Sequence, residues 1–340
     1  MDLDIVFLGT SASAPTARRA PTALLVRRGG DRLLFDCAEG TQRQLMRSTL
    51  GLPDVEQIFL THFHADHYLG LPGMLKTFSL RQREVPLTLY GPAGLRDLYK
   101  SLGRIIGKLS YPVEVEEVRP GEALERDGYD IHVFPVHHGV SAVGYAVAEH
   151  ERPGEFDAET ADALGIPFGP ERGALQRGES ITLDDGNVLT PDAVLGAARP
   201  GRRIVIPGDT APVEPVRVLS EGADVLIHEA TFLDDERDRA ADTLHSTALQ
   251  AAELARDADV RLLALTHISP RYFGPEVARE AREVFPTTVV PKDFDVIEVP
   301  FAERGEPKLV RRGARPAKEP RLGIEPDSVS AEPDSRVSNL

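Results

Sequence analysis

Three histidines and one aspartate stand within six residues, directly after a short apolar run. The run is Gln57-Ile58-Phe59-Leu60-Thr61, and the cluster is His62-Phe63-His64-Ala65-Asp66-His67. A run this short and apolar is typical of a buried strand, and the helical pattern that follows it to about Leu80 predicts a strand-to-helix loop. Such loops often carry binding and catalytic residues. Alternate histidines can share one pocket while the Asp66-His67 pair faces the next, so the segment predicts two metal ions rather than one.

The cluster resembles the HxHxDH signature of the metallo-β-lactamase superfamily, and later residues extend the resemblance. His138, Asp209 and His267 each follow an apolar run, in the order of that superfamily's remaining ligands. The resemblance implies one zinc ion held by His62, His64, His138 and Asp209, and a second held by Asp66, His67, Asp209 and His267. Zinc sites with nitrogen and oxygen ligands and one position left for water are catalytic rather than structural. His137 competes with His138 for one ligand position, and the glycine that follows His138 favours His138.

Within the superfamily, four local matches resemble the tRNase Z family of endoribonucleases. They are Phe7-Leu8-Gly9-Thr10-Ser11 with Ala14-Pro15-Thr16; Phe35-Asp36-Cys37-Ala38-Glu39-Gly40-Thr41-Gln42; His228-Glu229-Ala230-Thr231-Phe232 with His245-Ser246-Thr247; and the Gly- and Pro-rich segment from Gly165 to Gly178. The second match departs from the family's FDCGEGTQ only in Ala38. The resemblance implies a zinc-dependent endoribonuclease that removes the 3′ trailer from precursor tRNA by phosphodiester hydrolysis and leaves a 3′-hydroxyl on the tRNA.

Catalytic and substrate-binding roles follow from the same resemblance. Phosphodiester hydrolysis needs a nucleophile, charge stabilisation on the phosphoryl oxygens and protonation of the leaving oxygen. Asp66 is expected to be a general base as well as a ligand, and Glu229 with His245 is expected to protonate the departing ribose 3′-oxygen. Contacts with tRNA are expected from Arg18, Arg19, Thr41 and Gln42, and from Gly169, Pro170 and Gly173 of a protruding arm.

Cofactor, partners and location complete the family expectation. Two Zn²⁺ per subunit are expected, with Mn²⁺ or another divalent ion as an alternative in vitro. The expected partners are precursor tRNA and a second copy of the chain. Binding to DNA or to a membrane is not expected. The sequence shows neither a leader-like N-terminal pattern nor an apolar run of about 18 residues, so we predict a cytoplasmic protein. Cys37 is the only cysteine, which excludes an intramolecular disulfide and favours a buried thiol.

The spacing of apolar runs predicts the fold. Strand-like runs lie on both sides of residues 149–201, with helical stretches between them. Two mixed sheets packed face to face with helices outside, an α/β fold of the metallo-β-lactamase αββα type, would bury these runs and bring the loops at their ends to one edge. We therefore predict one catalytic domain over residues 1–303, with an arm at about residues 151–178. Residues 304–340, rich in Pro and charge, are predicted to be disordered.

The net charge of −15 does not favour an RNA-binding protein, because phosphate contacts need Lys and Arg. Between Arg18 and Arg47, however, the chain has seven arginines that could serve the RNA. The acidity and the bias towards Arg over Lys fit either a high-salt cytosol or a GC-rich genome. Two other functions remain open: a small-molecule metallo-hydrolase of the same fold, acting on a phosphodiester, lactone or thioester, and an RNA-binding scaffold with an inactive metal site. The first leaves the arm and Glu229 with His245 unexplained, and the filled ligand positions argue against the second.

Overall fold

The computed structural model describes residues 2–52, 55–183 and 186–313, and two large sheets face each other in this part of the chain. The first sheet consists of β1 (Leu3–Gly9), β2 (Ala23–Arg28), β3 (Asp31–Phe35), β4 (Gln57–Phe59), β5 (Leu87–Gly91), β6 (Val113–Glu117), β16 (Val296–Glu298) and β17 (Lys308–Val310). The second consists of β7 (Ala123–Arg126), β8 (Tyr129–Pro135), β9 (Val143–Glu149), β12 (Arg203–Gly208), β13 (Val225–Glu229), β14 (Leu262–Thr266) and β15 (Thr288–Val289). A separate hairpin pairs β10 (Ile181–Thr182) with β11 (Val188–Leu189).

Each large sheet has a parallel part and an antiparallel part. The strand order is β17-β16-β1-β2-β3-β4-β5-β6 in the first sheet and β15-β14-β13-β12-β9-β8-β7 in the second. Strands β3 to β6 are parallel, as are β12 to β15, while the remaining neighbours within each sheet are antiparallel. The helices are α1 (Thr41–Arg47), α2 (Ala65–Tyr68), α3 (Leu71–Leu80), α4 (Leu95–Ile106), α5 (Ala158–Ala163), α6 (Pro170–Gln176), α7 (Glu214–Ser220), α8 (Arg237–Thr243), α9 (Ala248–Asp257) and α10 (Gly274–Arg282).

Three layers of core explain why the strands are apolar on both faces. The inner faces of the two sheets meet in one cluster, where Phe35 stacks on Phe59 at 5.0 Å between ring centroids. The outer face of the first sheet packs against α1, α3 and α4, and that of the second packs against α7, α9 and α10. Truncating a buried ring such as Phe59 would cost about 3–5 kcal/mol. The predicted arrangement of two mixed sheets with helices outside is confirmed.

The topology places the two parallel halves so that they deliver their loops to one edge, which we call the metal edge. It holds the residues that follow the carboxyl ends of β3, β4, β12 and β14, namely Asp36, His62, Asp209 and His267. Val143, which begins β9, donates its N–H to Thr61 O at 2.9 Å at the same edge. Glu149, which ends β9, and Arg203, which begins β12, therefore lie at the opposite end of the sandwich, which we call the far end.

The arm differs in extent from the prediction. Residues 150–202 leave the far end between the paired strands β9 and β12, and bridges Arg152↔Arg199 and Phe156↔Leu195 hold the two sides of its stem together. Its small core includes Ile181 and Val194 beside Ala161, Ile166 and Leu175. The arm thus continues beyond the predicted boundary at Gly178, because its apolar side chains are supplied by both halves of the segment.

The C-terminal boundary also differs from the prediction. Strand β17 lies within the segment predicted to be disordered, and it pairs antiparallel with β16 at the edge of the first sheet. Sheet pairing satisfies the backbone of a short segment that has little apolar pattern of its own. The rest of the predicted tail, residues 314–340, lies outside the described residues. Within the described ranges, every helix is too short or too polar to cross a membrane.

Candidate metal centre and active site

All seven predicted metal ligands come together at the metal edge. Asp209 lies at the centre, with its Oδ2 3.3 Å from Nε2 of both His67 and His267 and 3.8 Å from Nε2 of His62. Asp66 Oδ2 lies 3.4 Å from His267 Nε2 and 3.7 Å from His67 Nε2. The remaining two side chains meet on the other side, where His138 Nε2 is 3.1 Å from His64 Nδ1. The side chains form overlapping groups that could hold a metal ion, among them His62 with His64 and His138, His62 with His67 and Asp209, and Asp66 with His67 and His267.

The histidine rings are oriented by contacts on their outer nitrogens. Nδ1 of His67 bonds to Asp36 Oδ2 at 2.8 Å, and Nδ1 of His267 bonds to Thr231 Oγ1 at 2.9 Å. Nδ1 of His62 bonds to Thr61 Oγ1 at 3.1 Å, and Nδ1 of His138 bonds to the carbonyl of Leu244 at 3.2 Å. Such partners commonly orient metal-binding histidines and select the nitrogen that coordinates.

The unpartnered atoms test whether metal ions fit. His62 Nε2 and His67 Nε2 are buried and have no hydrogen-bond partner within the described residues. Two buried ring nitrogens that lack a hydrogen bond and lie 3.3 and 3.8 Å from one Asp209 oxygen would be costly in a site that binds nothing. Imidazole and carboxylate donors suit zinc and related divalent ions. The residues present therefore fit divalent ions of this kind.

The backbone around this cluster adopts a conformation that is uncommon for residues other than glycine. Asp36, Leu244 and His267 have positive φ angles of 57°, 57° and 52°. Left-handed backbone costs about 1–2 kcal/mol at such residues and persists where the surroundings demand it. Here the left-handed backbone occurs at Asp36, which orients His67, at Leu244, whose carbonyl orients His138, and at His267, a predicted ligand.

Glu229 and His245 form a pair at the rim of the cluster. His245 Nδ1 lies 2.8 Å from Glu229 Oε1, while Thr231 Oγ1 donates to Glu229 Oε2 at 2.5 Å and the Thr210 N–H donates to Oε1 at 2.8 Å. Burial lowers the pKa of His245, but the carboxylate outweighs burial and raises it to about 9. The His245 ring stacks on His267 at 5.5 Å between centroids. The carboxylate thus favours the charged form of the imidazole beside the cluster.

Comparison with known proteins places these features in a family. A model of the metallo-beta-lactamase superfamily matches residues 17–151, and a model of the beta-lactamase superfamily domain matches residues 193–268. Ribonuclease Z of Natronomonas pharaonis is 47% identical over 311 residues, which cover 89% of this chain and 100% of the relative. This chain belongs to the ribonuclease Z family.

Further relatives agree with this assignment. Ribonuclease Z of Myxococcus xanthus is 45% identical, over 88% of this chain and 99% of the relative. Among solved structures, the short form of human tRNase Z superimposes with a TM-score of 0.64 at 28% identity, over 88% of this chain and 100% of that chain. The protein is therefore a hydrolase, an endoribonuclease of the ribonuclease Z type. The two family models leave most of the arm unmatched, since residues 152–192 lie between them.

The predicted substrate contacts near the metal edge differ in how exposed their side chains are. Arg18 is exposed and lines a cavity of about 470 Å³ with Arg43 and Lys292. Arg19 instead donates to Thr10 Oγ1 at 2.6 Å and to Pro291 O at 2.9 Å, and burial lowers the pKa of its guanidinium. Both bonds use only Nη1, and the half-buried Arg19 lines the same cavity as Arg18, so its role in substrate binding stays a prediction.

Two more predicted contacts belong to helix α1. Thr41 is buried, and its hydroxyl donates to Ala38 O at 2.8 Å, so the geometry does not favour its predicted contact with substrate, which stays a prediction. Gln42 is half-buried and donates to Thr77 Oγ1 at 2.6 Å. Both side chains brace the start of the helix rather than present free groups at the surface.

The remaining predicted contacts lie on the arm, away from the metal cluster of their own chain. Pro170 is exposed and begins α6, while Gly169 and Gly173 are half-buried beside it. The predicted basic region is divided as well. Arg27 and Arg28 end β2 at the far end, where they pair with Asp4 and Glu149.

Sequence reasoning missed the residues that orient the ligands. Asp36 accepts hydrogen bonds from the Thr61 N–H and from its hydroxyl, at 2.8 to 3.1 Å, besides its contact with His67. Thr231 connects Glu229 to His267. Both residues stand inside motifs singled out from the sequence, and that position was the available signal. Two backbone groups were not marked by any sequence signal. They are the Leu244 carbonyl, which orients His138, and the Ser13 N–H, which donates to Asp66 Oδ2 at 2.8 Å.

Proposed function

We propose that this enzyme removes the 3′ trailer from precursor tRNA by hydrolysing one phosphodiester bond and leaves a 3′-hydroxyl on the tRNA. The observation that carries the proposal is the 2.8 Å contact between Glu229 and His245 beside the cluster of seven ligands. A two-metal site alone would serve many hydrolases. A protonated histidine at its rim adds the acid that a poor leaving group such as a ribose oxygen requires.

The proposed ligands are His62, His64, His138 and Asp209 for one ion and Asp66, His67, Asp209 and His267 for the other. Zinc is the proposed ion, two per subunit, because imidazole dominates the donor set. Bound there, two divalent ions would polarise the phosphoryl oxygens and make water nucleophilic near neutral pH. Asp36, Thr61, Thr231 and the Leu244 carbonyl hold the imidazole rings in place.

Two proton transfers are assigned to residues of the chain. Asp66 is only partly buried. Its carboxylate accepts a hydrogen bond from the Ser13 N–H, which keeps it in position. It is proposed to take the proton of the attacking water. His245, kept charged by Glu229, is proposed to give a proton to the departing ribose 3′-oxygen, and Glu229 stays ionised throughout. In-line hydrolysis would require the two groups to act on opposite sides of the reacting phosphate.

A homodimer forms part of the proposal, because the arm and the metal centre of one chain lie at opposite ends of the sandwich. Strand β12 begins at the stem of the arm with Arg203 and ends at Gly208, just before Asp209. At 3.3 Å per residue, its six residues span about 20 Å. An arm that extends away from the far end is therefore placed to hold tRNA that is cut by another subunit.

The arm is proposed to hold tRNA by shape and backbone more than by charge. Its arginines are already paired: Arg152 with Glu303, Arg172 with Asp162, and Arg177 with Glu179. Between α5 and α6, Phe168 leaves 94% of its surface exposed. Free N–H groups and an exposed ring can contact a folded RNA without adding positive charge. This accounts for a tRNA-binding arm in a chain of net charge −15.

The proposal is tested with purified full-length protein, Zn²⁺ or Mn²⁺, and a precursor tRNA with a labelled trailer, resolved at single-nucleotide length. We expect one cut at the trailer boundary and a 3′-hydroxyl that a poly(A) polymerase can extend. Release of single nucleotides from the 3′ end, or hydrolysis of small phosphodiesters without any cut in the precursor, would contradict the proposal. A cytoplasmic location is proposed with it, since the enzyme must meet the newly made RNA.

A further inference from the structure

The stem of the arm rests on a short C-terminal segment that is remote in sequence. Phe301 and Glu303 follow β16 at the far end of the sandwich, and each contacts Arg152 at the start of the arm. We propose that these three residues, which we call the stem contact, are positioning residues that set the direction of the arm and thereby the affinity for precursor tRNA. This inference rests on the proposed function of the arm.

Besides the stem contact, the base of the arm meets the sandwich where it leaves strands β9 and β12: the Glu149 N–H donates to Arg202 O at 2.9 Å and the His150 N–H donates to Gly128 O at 3.1 Å. The core of the arm consists of its own apolar side chains and is separate from the three clusters of the sandwich. The two sides of the stem hold each other, since Arg152 and Arg199 exchange backbone hydrogen bonds of 2.8 and 2.9 Å. A Cβ on Gly154 would lie 2.0 Å from Gly196 O, so the two sides pass very close together. Those contacts hold the two sides of the stem together, and the stem contact adds a side-chain link between them and the segment that follows β16.

The stem contact joins the arm to the sandwich through side chains. The Arg152 guanidinium lies 3.5 Å from the centroid of the Phe301 ring and donates to the Glu303 oxygens at 2.9 and 3.1 Å. Arg199, from the other side of the stem, lies 3.5 Å from Glu303 Oε1. A planar guanidinium that stacks on a ring and bonds both oxygens of one carboxylate is constrained in direction as well as in distance.

The Phe301 ring also contacts Arg202, the last residue of the arm, and Arg202 is in turn fixed to the sandwich. The Arg202 guanidinium lies 4.0 Å from the ring centroid and donates to Val299 O at 2.8 Å. It also bonds both carboxylate oxygens of Glu149, at 2.7 and 2.8 Å, and both side chains are buried. Arg28 of β2 bonds the same carboxylate at 2.8 Å. The chain of contacts from Arg28 to Phe301 therefore ties the stem to both sheets.

A change of angle at the stem moves the end of the arm farther than the stem itself, because the arm extends away from that point. Weakening the stem contact should therefore reduce the fraction of molecules whose arm is placed for tRNA, and binding is weakened by that fraction. The metal centre lies at the other end of the sandwich and should not sense the change. The expected signature is a higher KM for precursor tRNA with an unaltered chemical step.

The experiment compares two full-length variants, Glu303→Gln and Phe301→Leu, with Glu306→Gln as the matched control. Glu306 lies in the same C-terminal segment but pairs with Arg261, away from the arm. Steady-state kinetics on precursor tRNA and on bis(p-nitrophenyl) phosphate are combined with melting temperature and with the rate of trypsin cleavage after Arg177, which is exposed on the arm.

In both test variants we expect KM for precursor tRNA to rise by about five- to tenfold, with kcat and small-phosphodiester hydrolysis within twofold of wild type. Trypsin cleavage should be faster, and the control should match wild type. An unchanged KM and cleavage rate, or parallel losses on both substrates with a lower melting temperature, overturn the inference. If the wild type fails to cut the precursor, the proposed function is wrong, and the trypsin rates still decide whether the stem contact holds the arm.

Discussion

Glu229 and His245 are joined by a 2.8 Å contact although they belong to different elements, one at the end of β13 and the other between α8 and α9. Glu229 is buried and accepts further hydrogen bonds from Thr210 and Thr231, so its carboxylate cannot turn away from the imidazole. His245 keeps access to the cluster on its other side, where its ring stacks on His267. The pair thus combines a fixed negative charge with an imidazolium beside the proposed reaction centre.

Variants of the ligands and of the proposed acid should differ in metal content. His64→Ala and Asp66→Ala should each abolish cleavage of precursor tRNA, because the first removes a ligand and the second a ligand and the base. His245→Ala should slow cleavage by about 10²–10⁴-fold and keep the metal content of the wild type. Metal analysis of the purified variants is the measurement. Because His245 lies within reach of His138 and Asp209, loss of one metal equivalent in His245→Ala would make it a ligand instead.

The pH dependence of cleavage should change when Glu229 becomes neutral. The Glu229 carboxylate raises the pKa of His245 above the value that burial alone would leave. An acid is lost as pH rises through its pKa, so activity should fall on the alkaline side. In Glu229→Gln that fall should move to lower pH by roughly 1–3 units. The measurement is kcat/KM against pH at saturating metal, and identical alkaline limbs in both proteins would refute the assignment.

Removing the arm should separate tRNA binding from chemistry. The paired stem allows residues 158–193 to be replaced by a short Gly/Ser linker, because Phe156 and Leu195 already face each other across the bridge. Cleavage of precursor tRNA should fall at least tenfold through KM, while hydrolysis of a chromogenic phosphodiester persists, since that substrate needs only the metal edge. Equal loss of both activities would mean that the arm stabilises the sandwich.

A basic side chain at the metal edge should matter for RNA and not for small substrates. Arg18 is exposed and lines the cavity beside Lys292, whereas Arg104 is exposed in the last turn of α4. Arg18→Glu should weaken binding of precursor tRNA and reduce the log–log salt slope by about 1. The matched Arg104→Glu should do neither, and both variants should hydrolyse a small phosphodiester at the wild-type rate. Equal effects of the two substitutions would point to net charge rather than to a contact.

The acidic surface should separate the salt optimum of stability from that of activity. With a net charge of −15, self-repulsion weakens as screening shortens to about 3 Å in molar salt, so the melting temperature should rise with KCl. Each phosphate contact instead contributes a log–log slope of about −0.7 to −0.9 to tRNA affinity. Activity on precursor tRNA should therefore peak at lower KCl than stability does. A protein that is most stable at about 0.1 M KCl would exclude adaptation to a high-salt cytosol.

Local patterns in the sequence predicted the most apolar strands and the side chains that cluster at the metal edge. The segments 58–60 and 204–206 are apolar at every position because both faces of each sheet are covered, and this makes them visible without knowledge of the partner strand. The ligands His62 to His67 lie within one loop, and Asp209 and His267 each follow such a run. Their meeting follows from parallel strands whose carboxyl ends share one edge.

Tertiary structure decided what depends on contacts between distant segments. Arg19 and Arg18 are adjacent in sequence, yet one is used inside the fold by Thr10 and Pro291 and the other is exposed. The pairing of β17, the extent of the arm and its position at the far end likewise depend on partners far away along the chain. The residue types in a short segment determine its periodicity and its chemistry, whereas burial, side-chain direction and the partner of a hydrogen bond are set by how the whole chain packs.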